Sequence, residues 1–156
     1  MNNTLYKTLA FGALAGMRSL AAPALLSHFV SKDESKPLQQ TPFSFLGNST
    51  VSKVLKGLAV SEMVGDKLPS VPDRIETPSL LVRSTSGATL GAALYHLKGG
   101  NELLGAALGA AAAVAATYGS FYLRKYLCEN TSLTNVTLGS LEDAVVVGSG
   151  LKASQL

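Results

Sequence analysis

A chain of 156 residues has room for one domain, and its 15% share of charged residues lies well below the roughly 25% of an ordinary soluble domain. The net charge of +3 comes from Lys and Arg residues scattered without a basic stripe, which argues against a nucleic-acid partner. The lone Cys128 excludes an intramolecular disulfide and a multi-cysteine metal site.

Gly and Ala gather inside the apolar runs, where a soluble core would use larger side chains. Trp is absent, so Tyr6, Tyr95, Tyr118, Tyr122 and Tyr126 are left as the anchors at a membrane–water interface. The first apolar segment, A, covers residues 5–30. At ~1.5 Å per residue it is long enough to cross a ~30 Å hydrocarbon core. Arg18 sits near its middle, and Pro23 interrupts its hydrogen-bond ladder one turn later. The N-terminus has the outline of a signal peptide with Ala22-Pro23-Ala24 as its cleavage site. Arg18, however, interrupts the short apolar region such a signal needs, so A is expected to stay in the protein. Residues 31–50 are polar and carry Pro37 and Pro42, the pattern of an exposed loop.

Segment B, residues 51–68, is short and amphipathic. Lys53 and Lys56 mark its start, Glu62, Asp66 and Lys67 its end, and Pro69 and Pro72 stop it. Segment C, residues 78–97, opens on a proline and closes at Gly99-Gly100. Segment A′, residues 102–127, holds an uninterrupted apolar run from Leu103 to Thr117 and is the clearest membrane span in the chain. Segment B′, residues 138–151, carries Glu142 and Asp143 near its start. The expected fold is therefore an all-α, integral membrane helical bundle forming a single domain over residues 1–156. The order A–B–C–A′–B′ suggests an inverted repeat about the linking helix C. A and A′ each reach an arginine (Arg18, Arg124), and B and B′ each carry a carboxylate pair.

Two patterns carry the functional reading. Gly12 and Gly16, Gly87 and Gly91, and Gly105 and Gly109 each set two glycines four apart on one helix face, the spacing that lets helices approach closely in lipid. Helix packing is the plain reading of these pairs. Arg18 lies mid-span, where a charge costs about 2.5–3.5 kcal/mol and must find a partner in protein or water. Glu62 and Asp66, four apart on one face, are candidate partners, with Lys67 and Arg83 as further cations. A polar site near the midplane follows from Arg18, Glu62 and Asp66, with Glu142 and Asp143 as its counterpart in the repeat. The alternative is a structural ion-pair set that only fixes helix register. His28 and His96 lie near segment ends without a second ligand at metal spacing and read as interfacial. No nucleophile elbow or phosphate loop is present, so no catalytic residue, metal or cofactor is assigned and an enzyme is the weakest reading. The sequons at Asn48, Asn130 and Asn135 matter only in a eukaryotic secretory pathway.

Three stretches carry a family resemblance: Gly12-Ala-Leu-Ala-Gly-Met-Arg-Ser19, Ser61-Glu-Met-Val-Gly-Asp-Lys-Leu-Pro69 and Leu141-Glu-Asp-Ala144. Together they resemble the membrane-protein family catalogued as domain of unknown function 4126, found largely in bacteria. The resemblance covers residues 7–150. It implies a multi-span membrane protein, with the bacterial inner membrane as its location, and carries over no catalytic or binding residues.

Charge counting tests the layout. If all five segments cross, one side carries Lys7, Lys67, Arg74, Arg83, Arg124 and Lys125. The other carries Lys32, Lys36, Lys53, Lys56, Lys98 and Lys152, an even division. An unbiased chain can insert both ways round and pair as an antiparallel dimer. If only A, C and A′ cross, the positive-inside rule places the C-terminus in the cytoplasm. The repeat favours crossing. The expected function is a small transporter or channel for an ion or solute, working as a homo-oligomer with the lipid bilayer as its environment. A non-catalytic scaffold or accessory subunit is the alternative.

Overall fold

The computed structural model describes residues 2–32, 41–65, 75–132 and 134–155, and all regular structure among them is helical. Six α-helices occur among these residues: α1 (Asn2–Met17), α2 (Ala21–Lys32), α3 (Ser49–Gly65), α4 (Thr77–His96), α5 (Glu102–Asn130) and α6 (Asn135–Gln155). One turn of 3-10 helix, Ser44–Gly47, precedes α3.

Segment A, expected as one helix, is two. The α1 ladder runs out with the Arg18 amide donating to Leu14 O at 2.8 Å, and the next begins with Ala24 N donating to Leu20 O at 3.0 Å. Pro23 falls in the first turn of α2, where its missing N–H breaks no intrahelical bond. The chain also turns back at this break. Leu14 and Leu25, on either side of it, both reach Gly150 of α6. Further along, Ser27 Oγ donates to Leu46 O at 2.7 Å, and Phe43 packs on His96 at the far end of α4 with ring centroids 5.9 Å apart. In contrast A′ is unbroken: α5 runs 29 residues, ~43 Å. It is the one described helix long and apolar enough, by length and composition, to cross a membrane.

Local signals set the other boundaries. The Asn101 side chain accepts from Leu103 N and Leu104 N at 2.9 and 3.2 Å, capping α5. Pro78 lies in the first turn of α4, and the helix stops where Gly99 takes a left-handed φ of 64°.

The centre of the molecule is α1, α4 and α5, packed through small residues. Gly12 and Gly16 of α1 lie beside Gly109 and Ala113 of α5, so these two helices run parallel. Gly87 and Gly91 of α4 lie beside Gly109 and Gly105, which makes α4 antiparallel to both. A Cβ on any of these six glycines would stand under 3.0 Å from a backbone oxygen of the neighbouring helix. Around this trio, α2 packs on α3 and α6 covers the angle between α1 and α2. Phe11, Leu14, Leu26, Leu46, Leu90 and Val146 fill the core.

The glycine contacts predict a sharp contrast. Gly109→Val forces backbone apart and should lower stability by about 3 kcal/mol or more, the upper range for overpacking. A Cβ added at Gly57 would meet nothing within 4 Å, so Gly57→Ala should be neutral or gain about 0.5–1 kcal/mol from helix propensity. Thermal unfolding followed by circular dichroism reads both; equal behaviour of the two variants contradicts the close packing.

Candidate functional site

The break at residues 18–20 leaves carbonyls at the end of α1 and N–H groups at the start of α2 without helical partners. Other elements supply them. From α4, Arg83 Nη1 donates to Gly16 O at 2.8 Å and Met17 O at 2.7 Å. From α5, Thr117 Oγ1 donates to Gly16 O at 3.0 Å. At the other end, Glu62 of α3 accepts from Ser19 N and Leu20 N, each at 2.9 Å, and from Ser19 Oγ at 2.8 Å. Ser86 Oγ donates to Ser19 O at 2.7 Å. A cation therefore closes a helix C-terminus and an anion closes a helix N-terminus, the signs the helix dipoles favour.

The two caps also meet. Arg83 Nη2 lies 3.4 Å from Glu62 Oε1, and Arg83 Nε donates to Ser79 Oγ at 3.1 Å. Arg18 itself is fully buried, and its Nε forms an ion pair with Asp143 Oδ1 of α6 at 2.8 Å. Farther along α5, Arg124 Nη1 lies 3.7 Å from Glu142 Oε2 of α6.

The structure thus brings Arg18, Glu62, Arg83 and Asp143 to one place. It does not pair Arg18 with Glu62, as the sequence reading expects. Both oxygens of Glu62 are engaged by the start of α2, so the buried guanidinium takes its counterion from α6 instead. Asp66 and Lys67 lie outside the described residues. Glu142 pairs with Arg124 of α5. Gly12, Gly16, Gly87, Gly91, Gly105 and Gly109 lie at the helix contacts described above. His28 Nδ1 faces Lys56 Nζ at 2.8 Å, and His96 Nδ1 faces Glu102 Oε1 at 2.6 Å.

Sequence reasoning missed Ser19, Ser86 and Thr117. The available signal was slight: hydroxyls beside the arginine, beside Gly87 and at the end of an otherwise apolar run. Nothing in a linear reading shows that two distant hydroxyls, Ser86 and Thr117, and a glutamate serve one helix break.

Chemically, among the described residues the arrangement holds two arginines and two carboxylates in a mostly buried set whose formal charges balance. Arg18→Ala leaves Asp143 without its ion-pair partner and should cost about 3–5 kcal/mol, with part of the loss recovered in Arg18→Ala/Asp143→Ala. Glu62→Ala removes the α2 cap and should cost ~2 kcal/mol or more. Unfolding of the wild type, Arg18→Ala, Asp143→Ala and the double variant checks the cycle, and strictly additive losses for Arg18 and Asp143 would show that the pair is not coupled.

Comparison with known proteins gives a single result. No curated protein and no solved structure matches the chain. The family model described as domain of unknown function (DUF4126) matches residues 5–156, and the chain belongs to that family.

Proposed function

We propose that this is a multi-span membrane protein whose helix break is the polar site of a small transporter or channel for an ion or solute. The observation that carries the reading is the burial of two arginines, Arg18 and Arg83, at an interrupted helix in a fold with an apolar exterior. Intramembrane ionisable groups and discontinuous helices mark ion and substrate sites in transporters.

Several features support a bilayer as the surroundings. Only 22% of the most apolar window of α5 is buried, whereas the core helix of a soluble protein is mostly buried. The buried residues of α5 are Gly105, Gly109, Ala113 and Thr117, while Leu103, Leu104, Tyr122 and Leu123 are exposed. Small residues inward and large ones outward is the pattern of helices packed against each other in lipid. Non-helical backbone at membrane depth needs partners within the protein, and residues 16–20 have them.

In this reading the α1–α2 hairpin enters and leaves by one face, and among the described residues the even charge division disappears. Of these, Lys7, Lys32, Lys53, Lys56, Lys98 and Lys152 fall towards the face holding the N-terminus, against Arg124 and Lys125 at the far end of α5. The positive-inside rule then puts the N-terminal face in the cytoplasm, for a protein of the bacterial inner membrane. A chain of this size encloses no pathway alone, so the reading carries a homodimer, parallel rather than antiparallel. The parallel run of α1 and α5 does not fit an inverted repeat, which needs A and A′ antiparallel; the likeness that remains is that α3 and α6 each present a glutamate to an arginine, Glu62 to Arg83 and Glu142 to Arg124.

A scaffold or accessory subunit is the second reading, favoured by the two-against-two balance of charges at the break. Proteoliposomes with fluorescent reporters of proton and chloride flux separate the two. Transport predicts flux above empty liposomes that Arg18→Ala removes; full flux in a folded Arg18→Ala protein sinks it. The scaffold predicts no flux, loss of assembly in Arg18→Ala, and recovery in the double variant with Asp143→Ala.

Topology has its own test. On a Cys128→Ser background, single cysteines replace Asn3, Thr41, Asn101 and Ser132, and intact cells are treated with an impermeant thiol reagent. Only Ser132→Cys should label. Labelling of Asn3→Cys and Thr41→Cys on opposite sides would restore segment A as a single span.

A further inference from the structure

The outward side of α5 is covered by no other described helix. Its exposed and half-exposed residues Leu104, Leu108, Ala111, Ala115, Tyr118 and Tyr122 recur in alternating steps of four and three, and Lys125 and Glu129 continue the row. That alternation is the repeat of a seam between two helices. The row narrows at Ala111 and Ala115, and beside them a Cβ added at Gly119 would meet nothing within 4 Å. On the far side of this waist the rings of Tyr118 and Tyr122 stack, with centroids 6.5 Å apart and 18° between their planes. Small residues at mid-span let two backbones approach in lipid, while the larger side chains close around the crossing. Lys125 and Glu129, at the end of the row, are both exposed, and among the described residues neither is ion-paired.

We propose that a second copy of this chain docks on this face, parallel to the first about a two-fold axis. The proposal rests on the membrane reading above and names the surface of the homodimer that reading carries. Charge complementarity selects the occupant and its direction. In a parallel pair, Lys125 of one protomer comes beside the partner's Glu129 one turn along, and the symmetry makes the contact twice. An antiparallel pair would set both charges against Leu104 and Leu108. A lipid chain would cover apolar surface of any spacing and leave both charges unmet. The outward row of α6, Ser140, Ala144, Gly148 and Lys152, carries no acid to answer its lysine. About 20 residues cover a ~30 Å hydrocarbon core, so a span begun at Leu103 ends near Tyr122 and leaves Lys125 and Glu129 among the headgroups. Ion pairs there add little attraction but fix direction and register, and the close-packed seam holds the copies together.

The test uses the full chain in native membranes on a Cys128→Ser background. Washing at alkaline pH first separates integral from loosely bound protein. Single cysteines are then oxidised with copper phenanthroline and disulfide-linked dimer is read on a gel. Leu104→Cys, Ala111→Cys and Ala115→Cys should link, whereas Gly57→Cys on α3 and Ala144→Cys on α6, both exposed, should not. With Leu104→Cys as reporter, Ala111→Ile should abolish linking; the position faces outward, so the protomer keeps its fold. Lys125→Glu should slow linking about tenfold, the worth of two exposed ion pairs, and adding Glu129→Lys should restore it. Equal linking at Gly57→Cys or Ala144→Cys, unchanged linking in Ala111→Ile, or a dimer indifferent to the charge reversal overturns the proposal. Linking of Ala111→Cys and Ala115→Cys without Leu104→Cys overturns the parallel direction. A chain that washes off the membrane overturns the membrane reading itself, whereas an integral chain that does not link through α5 overturns the docking face alone.

Discussion

The break between α1 and α2 is the constraint on which the other helices depend. A helix that stops inside a packed bundle exposes carbonyls at one end and amides at the other, and burying them unmet costs about as much as a lost hydrogen bond apiece. Here α3 contributes Glu62, α4 contributes Arg83 and Ser86, and α5 contributes Thr117. The last helix, α6, brings Asp143 to the buried Arg18. Four elements far apart in sequence are thus tied to one short stretch of backbone.

Those ties have short reach, and the glycines make them possible. Arg83 meets Gly16 O and Met17 O only because α1 and α4 both lie close against α5, with glycine at each crossing. A methyl group at Gly87 or Gly16 would meet a backbone oxygen of α5 and push the helices apart. Polar capping and small-residue packing are therefore one device: close approach brings the caps within range, and the caps fix the register of the approach. The same geometry explains the exterior of α5, whose buried residues are Gly105, Gly109, Ala113 and Thr117 while Leu103, Leu104, Tyr122 and Leu123 face outward.

This economy bears on both functional readings. In a scaffold the four charges at the break are a lock with no net charge. In a transporter they are a polar site whose neutrality keeps it stable inside a low-dielectric fold until an ion or proton enters. On α6 the neighbouring carboxylates serve different arginines, Asp143 meeting Arg18 and Glu142 meeting Arg124.

The sequence by itself determined the helical class, the carboxylate- and arginine-bearing helices and the family. Apolar runs, prolines and caps are local signals: Pro78 acts through its fixed φ, Gly99 through its left-handed φ and Asn101 through bonds to the next turn. The unbroken run from Leu103 to Thr117 likewise marked α5. Only the tertiary structure decided that segment A is two helices folded back on each other, and that Arg18 belongs to Asp143 while Glu62 belongs to the start of α2. Arg18 and Pro23 warned of an irregularity without saying which way the chain would go, because its direction is set by distant caps and by the packing of Leu14 and Leu25 on α6. Charge pairing across more than a hundred residues has no period to read; it is chosen by which backbone groups the glycine contacts leave within reach of which side chain.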